Sequence, residues 1–306
     1  MRYVLIGYGN IGRKRHEVLN EKCVAIVDPY QKEATYNNYK AMPLDIFDAA
    51  VLAVPNSIKT EMLEYLLTHK KHVLTEKPLL FKERQTAHKL YSISKDNNVI
   101  WYTSYNHRFE PMVMKLKEIL ENKVIGQLYF AKTIYGNGTV QNIIGTWRDT
   151  GYGVLEDLGC HLLDLATYLF PEYSFEYKII GAHNFEAIEL DYCSFSTVDN
   201  RFNFLCSTLM WKNTFTIDVF GSKGSIHLNG LQKWGRSQLI HRERVLPSGI
   251  PKETIYNSTG VDETWKKDIE HFEKMISSGE SSFENDLNIS QSIHALIALK
   301  NTGERF

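Results

Sequence analysis

Five short apolar runs, at 3–6, 24–27, 50–54, 72–75 and 99–102, follow one another through the first third of the chain with helical patterns between them. Strands apolar on both faces and separated by helices build a parallel sheet that is covered on both sides. Residues 1–107 therefore predict a doubly wound α/β domain, with helices from Ile11, near 58–69 and near 82–96. After Arg108 the rhythm changes. Residues 111–120 have helical spacing, 128–135 read as a strand, and 154–168 read as a helix that Pro171 breaks. Strand-like runs then succeed one another at 175–181, 190–197, 202–211, 214–220 and 225–228 without helices between them. That order implies an antiparallel sheet, so residues 108–306 predict an α+β domain. Two amphipathic helices, near 262–277 and 287–300, close the chain and can fold back on the first domain.

Charge excludes some functions. Among 306 residues, 35 Lys and Arg stand against 36 Asp and Glu, so no overall field draws in nucleic acid or an anionic membrane surface. The basic cluster Arg236, His241, Arg242 and Arg244 reads as a solvated strand face within 230–261, the least legible stretch. No apolar run approaches the ~20 residues that span a bilayer. Four scattered cysteines read as buried thiols, and Met1-Arg2 runs straight into a strand without room for a leader; both lead to an expectation of the cytoplasm.

Gly7-x-Gly9-x-x-Gly12 follows the first strand and opens a helix. In that context Gly7 serves a tight turn, Gly9 lets backbone approach a pyrophosphate, and Gly12 permits close helix packing. The amides of Asn10 and Ile11 then face phosphate at the positive end of the helix. Asp28 ends the second strand, near the offset of about 20 residues at which a carboxylate receives ribose hydroxyls. It favours NAD over NADP, although Lys32 keeps NADP open and Asp28 before Pro29 also suits a plain turn. Pro55-Asn56 follows the third strand, as a cofactor contact, a helix start, or both.

Glu76-Lys77-Pro78 ends the fourth strand, a costly place for a lysine unless it is paired or used chemically. Further along, Asp157 and His161 are four apart on a helical pattern and share a face, so a carboxylate can orient an imidazole. A satisfied core histidine has the same signature. Asp164 extends that face and raises a metal site, which lacks a third ligand. Tyr105-Asn106-His107-Arg108 and Trp147-Arg148-Asp149 offer aromatic faces and guanidinium groups suited to a sugar ring or an anionic substituent, or simply to packing.

The glycine turn, Pro55-Asn56, Glu76-Lys77-Pro78, Asn106-x-Arg108-Phe109, Trp147-Arg148 and Asp157-x-Gly159-x-His161 stand in an order that resembles the glucose-fructose oxidoreductase, inositol dehydrogenase and rhizopine catabolism (Gfo/Idh/MocA) family over nearly the whole chain. The resemblance implies a Rossmann domain, then a domain whose large open, mainly antiparallel sheet mediates dimers or tetramers. It also implies a cis Lys77-Pro78 peptide, with Lys77 and His161 near the nicotinamide and the reacting carbon. Two departures stand out: Lys59 occupies a position where the family often has histidine, and Tyr152 within Gly151-Tyr152-Gly153 narrows the substrate side.

The function expected is NAD-dependent hydride transfer at a secondary alcohol of a sugar, polyol or nucleotide-sugar. Glu76, Lys77 and the residues of the glycine turn contact cofactor, and Lys77, Tyr105, Arg108, Trp147, Arg148, Tyr152, Asp157 and His161 contact substrate. His161 acts as acid and base, Asp157 sets its tautomer, and Lys77 stabilises the alkoxide or itself carries the proton. Redox-neutral elimination, epimerisation or glycoside cleavage is the alternative, and a non-catalytic nicotinamide or sugar sensor is a third.

Overall fold

Five parallel strands, β1 (Tyr3–Ile6), β2 (Cys23–Val27), β3 (Ala49–Leu52), β4 (His72–Glu76) and β5 (Trp101–Ser104), pair in the order β2-β1-β3-β4-β5. Between them run helices α1 (Asn10–Leu19), α2 (Asn56–Thr68) and α3 (Arg84–Asp96). The computed structural model describes residues 1–146 and 148–302. Within these, Met1–Asn106 and Trp265–Ser290 form one unit, and the second comprises His107–Thr264 and the chain from Gln291 onward.

β1 and β3 are buried at every position because both faces of the sheet are covered. Alternation sends Val4, Ile6 and Leu52 into one core with Leu63, Leu66 and Trp101, and Tyr3, Leu5 and Val51 into the other with Leu74 and Phe272. Each such side chain contributes roughly 1.5–3 kcal/mol on full burial.

The fifth strand lies two residues later than its apolar run suggests. Asn98 has φ 53°, and the Val99 amide returns to the Ser94 carbonyl at 3.0 Å, so the end of α3 holds Val99 outside the ladder. Polar Thr103 and Ser104 take its place in the strand and are buried.

The second unit begins with α4 (Pro111–Glu121), β6 (Leu128–Gly136) and the short α5 (Val140–Ile143). A π turn over Leu155–Gly159 then leads into α6 (Cys160–Leu169), where the sequence suggests one unbroken helix. Its sheet has eight strands: β6, β7 (Tyr177–His183), β8 (Tyr192–Thr197), β9 (Phe202–Ser207), β10 (Thr214–Gly221), β11 (Gly224–Asn229), β12 (Gln238–Glu243) and β13 (Glu253–Asn257). They lie in the order β13-β12-β11-β10-β6-β9-β8-β7, antiparallel except for the parallel pair β6–β9. The last two strands resolve the stretch that the sequence left unread, and Arg242 of β12 pairs with Glu253 of β13 at 2.7 Å. α7 (Thr264–Ser278) and α8 (Phe283–Thr302) end the described chain, and neither they nor any other described helix is long and apolar enough to cross a membrane.

The closing helices complete the first unit at its edge strand. Asp286 accepts from Trp101 Nε1 at 2.9 Å and Thr103 Oγ1 at 2.8 Å, and Asp268 accepts from the Tyr102 hydroxyl at 2.6 Å. These buried carboxylates satisfy polar groups that would otherwise be costly inside the unit.

Candidate active site

In the first unit the candidate residues share one edge because of strand register. Ile6 is level with Val27 of β2 and Leu52 of β3, and Leu52 is level with Thr75 of β4. The residues that follow, Asp28, Gly7, Ala53 and Glu76-Lys77, therefore leave the carboxyl edge in a row. With strands ~4.8 Å apart, that row is roughly 15 Å long, on the scale of an extended dinucleotide. β1 lies where the strand order reverses, which is where open α/β sheets bind ligands.

Each glycine of the turn has its own constraint. At Gly7, φ is 94° and a Cβ would stand 2.3 Å from the Ala53 carbonyl oxygen; at Gly12 it would stand 2.1 Å from that of Gly7. Nothing lies within 4 Å of the place a Cβ would take at Gly9. Gly9 precedes α1, and its side has no capping group for the first-turn amides of Asn10 and Ile11. Open space in front of uncapped helix amides fits a pyrophosphate.

Asp28 holds this region together. One carboxylate oxygen accepts the Tyr8 amide at 2.8 Å, and the other accepts Tyr30 and Gln31 amides at 2.8 and 3.1 Å. Three of about four acceptor positions are taken, which leaves capacity for a ribose hydroxyl. Pro55 is the residue before α2, and Asn56 is the helix's first residue rather than a side-chain cap.

Glu76 lies beneath a buried cation. Arg15 of α1 is wholly buried and donates from Nε to Glu76 at 2.7 Å, pairs with Asp268 at 2.7 Å, and donates to Ser104 Oγ at 2.5 Å. Glu76 thus braces α1 against β4. Lys77 follows, half-buried, with a cis peptide to Pro78. Tyr105 is buried, as packing requires.

In the second unit His161, buried on α6, meets residues that the sequence reading did not select. His107 lies on it with ring centroids 3.9 Å apart, and Tyr135 of β6 approaches edge-on at 5.8 Å. Tyr135 shares a hydrogen bond with His107 Nε2 at 3.2 Å and accepts one from Lys233 Nζ at 2.9 Å. Lys233 also stands 4.9 Å from the centre of the Trp234 ring. Burial pushes the Tyr135 phenol up, with Asp157 adding to the effect, so the group stays neutral.

Asp157, in the π turn, is ion-paired with Arg148, whose Nε donates at 3.1 Å. Arg108 grips Asp164 with both Nε and Nη2, at 2.9 and 2.5 Å. That fork ties the segment before α4 to α6, and it occupies the carboxylate considered for a metal. Tyr152 sets its ring edge against His294 at 5.6 Å. Trp147 lies outside the described residues.

His107 was visible within the Asn-His-Arg-Phe stretch, and Tyr135 lay at the end of the strand expected over 128–135, with no local pattern to single it out. Lys233 and Trp234 fall in the unread stretch, and Arg15 has partners 61, 89 and 253 residues away, so no local pattern could point to them.

Comparison with known proteins agrees with this architecture. Residues 1–105 match the model of an oxidoreductase family with an NAD-binding Rossmann fold, and residues 113–227 match the GFO/IDH/MocA C-terminal domain. Levoglucosan dehydrogenase of Pseudarthrobacter phenanthrenivorans is 30% identical over 129 residues, 40% of this chain and 33% of its own length. D-glucoside 3-dehydrogenase of Escherichia coli is 27% identical over 215 residues, 64% of this chain and 60% of its own. The matched segments thus span less than two thirds of these relatives. A levoglucosan dehydrogenase structure with NADH and levoglucosan superposes with a TM-score of 0.81 at 18% identity, covering 99% of this chain and 98% of that one, a likeness of fold. The chain belongs to the Gfo/Idh/MocA oxidoreductase family, and its first unit is that family's NAD-binding Rossmann domain.

Proposed function

We propose that this protein is an NAD-dependent dehydrogenase acting on a secondary alcohol of a sugar or polyol. The observation that carries the reading is the row of strand exits in the first unit, where Lys77 leaves the same edge as the glycine turn and Asp28. Relatives that act on levoglucosan and glucosides favour a carbohydrate substrate. Bound NAD supplies the hydride acceptor.

The chain's own groups manage charge and the proton. The Lys77 ammonium donates to the alcohol oxygen and stabilises it as negative charge develops. His161 takes the alcohol proton, with its ring held by His107 and Tyr135. Asp157, steadied by Arg148, orients the imidazole. Asp28 favours NAD over NADP because a carboxylate there repels a 2′-phosphate. The open face of the eight-stranded sheet, where Phe130 stacks on Phe220 at 4.5 Å, is the surface for a homodimer or homotetramer.

The test is a titration with NADH and NADPH, then a 340 nm screen of sugars and polyols, including levoglucosan and glucosides. NADH binding with substrate-dependent absorbance change is expected. Product formation without net NADH would replace this reading with redox-neutral chemistry, and failure to bind either cofactor would remove it.

A further inference from the structure

Lys59 is a second lysine at the Glu76-Lys77-Pro78 turn, and its position is unusual for its charge. It sits in the first turns of α2, only 2% exposed, on a helix whose other buried residues are Leu63, Leu66 and Leu67. An apolar side chain would fill such a place without removing an ion from water. Its ammonium instead donates to three successive carbonyls, Glu76 at 2.5 Å, Lys77 at 3.3 Å and Pro78 at 2.9 Å. Lysine has three N–H donors and no acceptor, so three carbonyl oxygens match its capacity.

The carbonyls of Glu76 and Lys77 belong to the peptide groups on either side of the Lys77 Cα. Fixing both fixes the direction in which the Lys77 side chain departs. The preceding residue is held independently, since Arg15 grips the Glu76 carboxylate at 2.7 Å. Two buried cations from α1 and α2 thus clamp the backbone that presents Lys77, one through a side chain and the other through main-chain oxygens.

We infer that Lys59 is a positioning residue for Lys77, holding its backbone so that the Lys77 ammonium meets the reacting oxygen. The inference rests on the reading that Lys77 contacts that oxygen. Its effect belongs to turnover rather than to cofactor affinity, because a displaced donor loses its aim while the glycine turn is untouched.

The experiment compares K59M, K77A and the double variant for kcat in the dehydrogenase assay, with NADH Kd measured for each. K59M is expected to lose ~10- to 100-fold in kcat, the scale of a small misplacement, with NADH Kd within about twofold of wild type. Added to K77A, it should cost nothing further, because a residue acting through Lys77 has nothing left to position. Losses that multiply, or an unchanged kcat in K59M, would overturn the inference. K59R, which keeps several donors, should recover part of the loss. If K77A alone turns over normally, the reading of Lys77 fails, and that outcome is distinct from an intact K59M beside an inactive K77A. A readout on the unaltered protein needs no variant to fold: reductive methylation should leave Lys59 unlabelled while exposed Lys32 reacts, and labelling of both at one rate would overturn the clamp.

Discussion

The imidazole of His107 lies nearly flat on that of His161, with 18° between the ring planes and centroids 3.9 Å apart. Such a stack fixes the tilt of the His161 ring while leaving its nitrogens in the ring plane for hydrogen bonds. His107 is itself held at the edge. With the Tyr135 oxygen accepting from Lys233, the phenol proton is available to His107 Nε2.

Tyr135→Phe removes that anchor and keeps the aromatic packing. The expected result is a kcat lowered about tenfold with NADH Kd unchanged, since acid/base steps depend on aim. Stopped-flow NADH formation and a fluorescence titration read the two quantities separately. An unaltered kcat would show that the stack holds His161 without the phenol.

Two of the turn's glycines should separate stability from binding. Gly7→Ala places a methyl 2.3 Å from a carbonyl oxygen at a φ of 94°, so its Tm should fall by several degrees or the protein should fail to fold. Gly9→Ala meets open space and should melt like wild type, yet bind NADH at least about tenfold more weakly because its methyl enters the pyrophosphate path. Equal NADH affinity in Gly9→Ala would place the cofactor elsewhere.

Glu110 makes stability depend on pH. Burial pushes its carboxyl up to about 7, although the Gln232 amide donates to it at 2.9 Å. A folded-state value above the ordinary 4.5 means that the folded chain holds this proton more tightly than the unfolded chain. Its contribution is therefore fully present below about pH 4.5, declines as pH rises toward 7, and is constant above that. The loss amounts to roughly 3 kcal/mol at most. Glu110→Gln does not titrate, so its Tm relative to wild type should climb between pH 5 and pH 8. Thermal melts across that range check the slope, and a difference independent of pH would refute it.

Much of the fold was legible because short apolar runs have a distinct period. The central strands β1 and β3 are apolar at every position, and the spacing of such runs announced a parallel sheet. β5 slipped because Thr103 and Ser104 are polar by sequence and are buried with partners far along the chain: Ser282, Asp268 and Asp286, more than 160 residues away, and Arg15, 89 residues away. β12 was legible only as a solvated strand face around His241 and Arg242, and β13 was missed, because hairpin strands near a sheet edge, such as Glu253–Asn257, alternate exposed and half-buried positions and carry little apolar signal.

The site divided along similar lines. The glycine turn, Asp28 and Lys77 sit at strand ends, where local pattern and location coincide. Arg108 and Arg148 offer guanidiniums suited to a ligand by sequence; Asp164, 56 residues after Arg108, and Asp157, nine residues after Arg148, pair with them, and only the second pairing lies within local range. In the sequence Lys59 stands out only as a departure from the family resemblance; its three carbonyl partners come together only once α2 lies over the end of β4.

The nucleotide-binding sheet also has a schedule. Its five strands leave the ribosome before α7 and α8, but the carboxylates that satisfy Arg15, Trp101 and Tyr102 are Asp268 and Asp286, more than 160 residues after the last of these three. Until then, the edge of β5 has its indole and phenol but not their acceptors, and Arg15 lacks one of its two counter-ions. The segment 107–264 is fully synthesised before that edge can be sealed. The sheet that is synthesised ahead of segment 107–264 is thus completed only after it, and a chain that stops short of α7 leaves Arg15, Trp101 and Tyr102 without these acceptors although every residue of its glycine turn has been made.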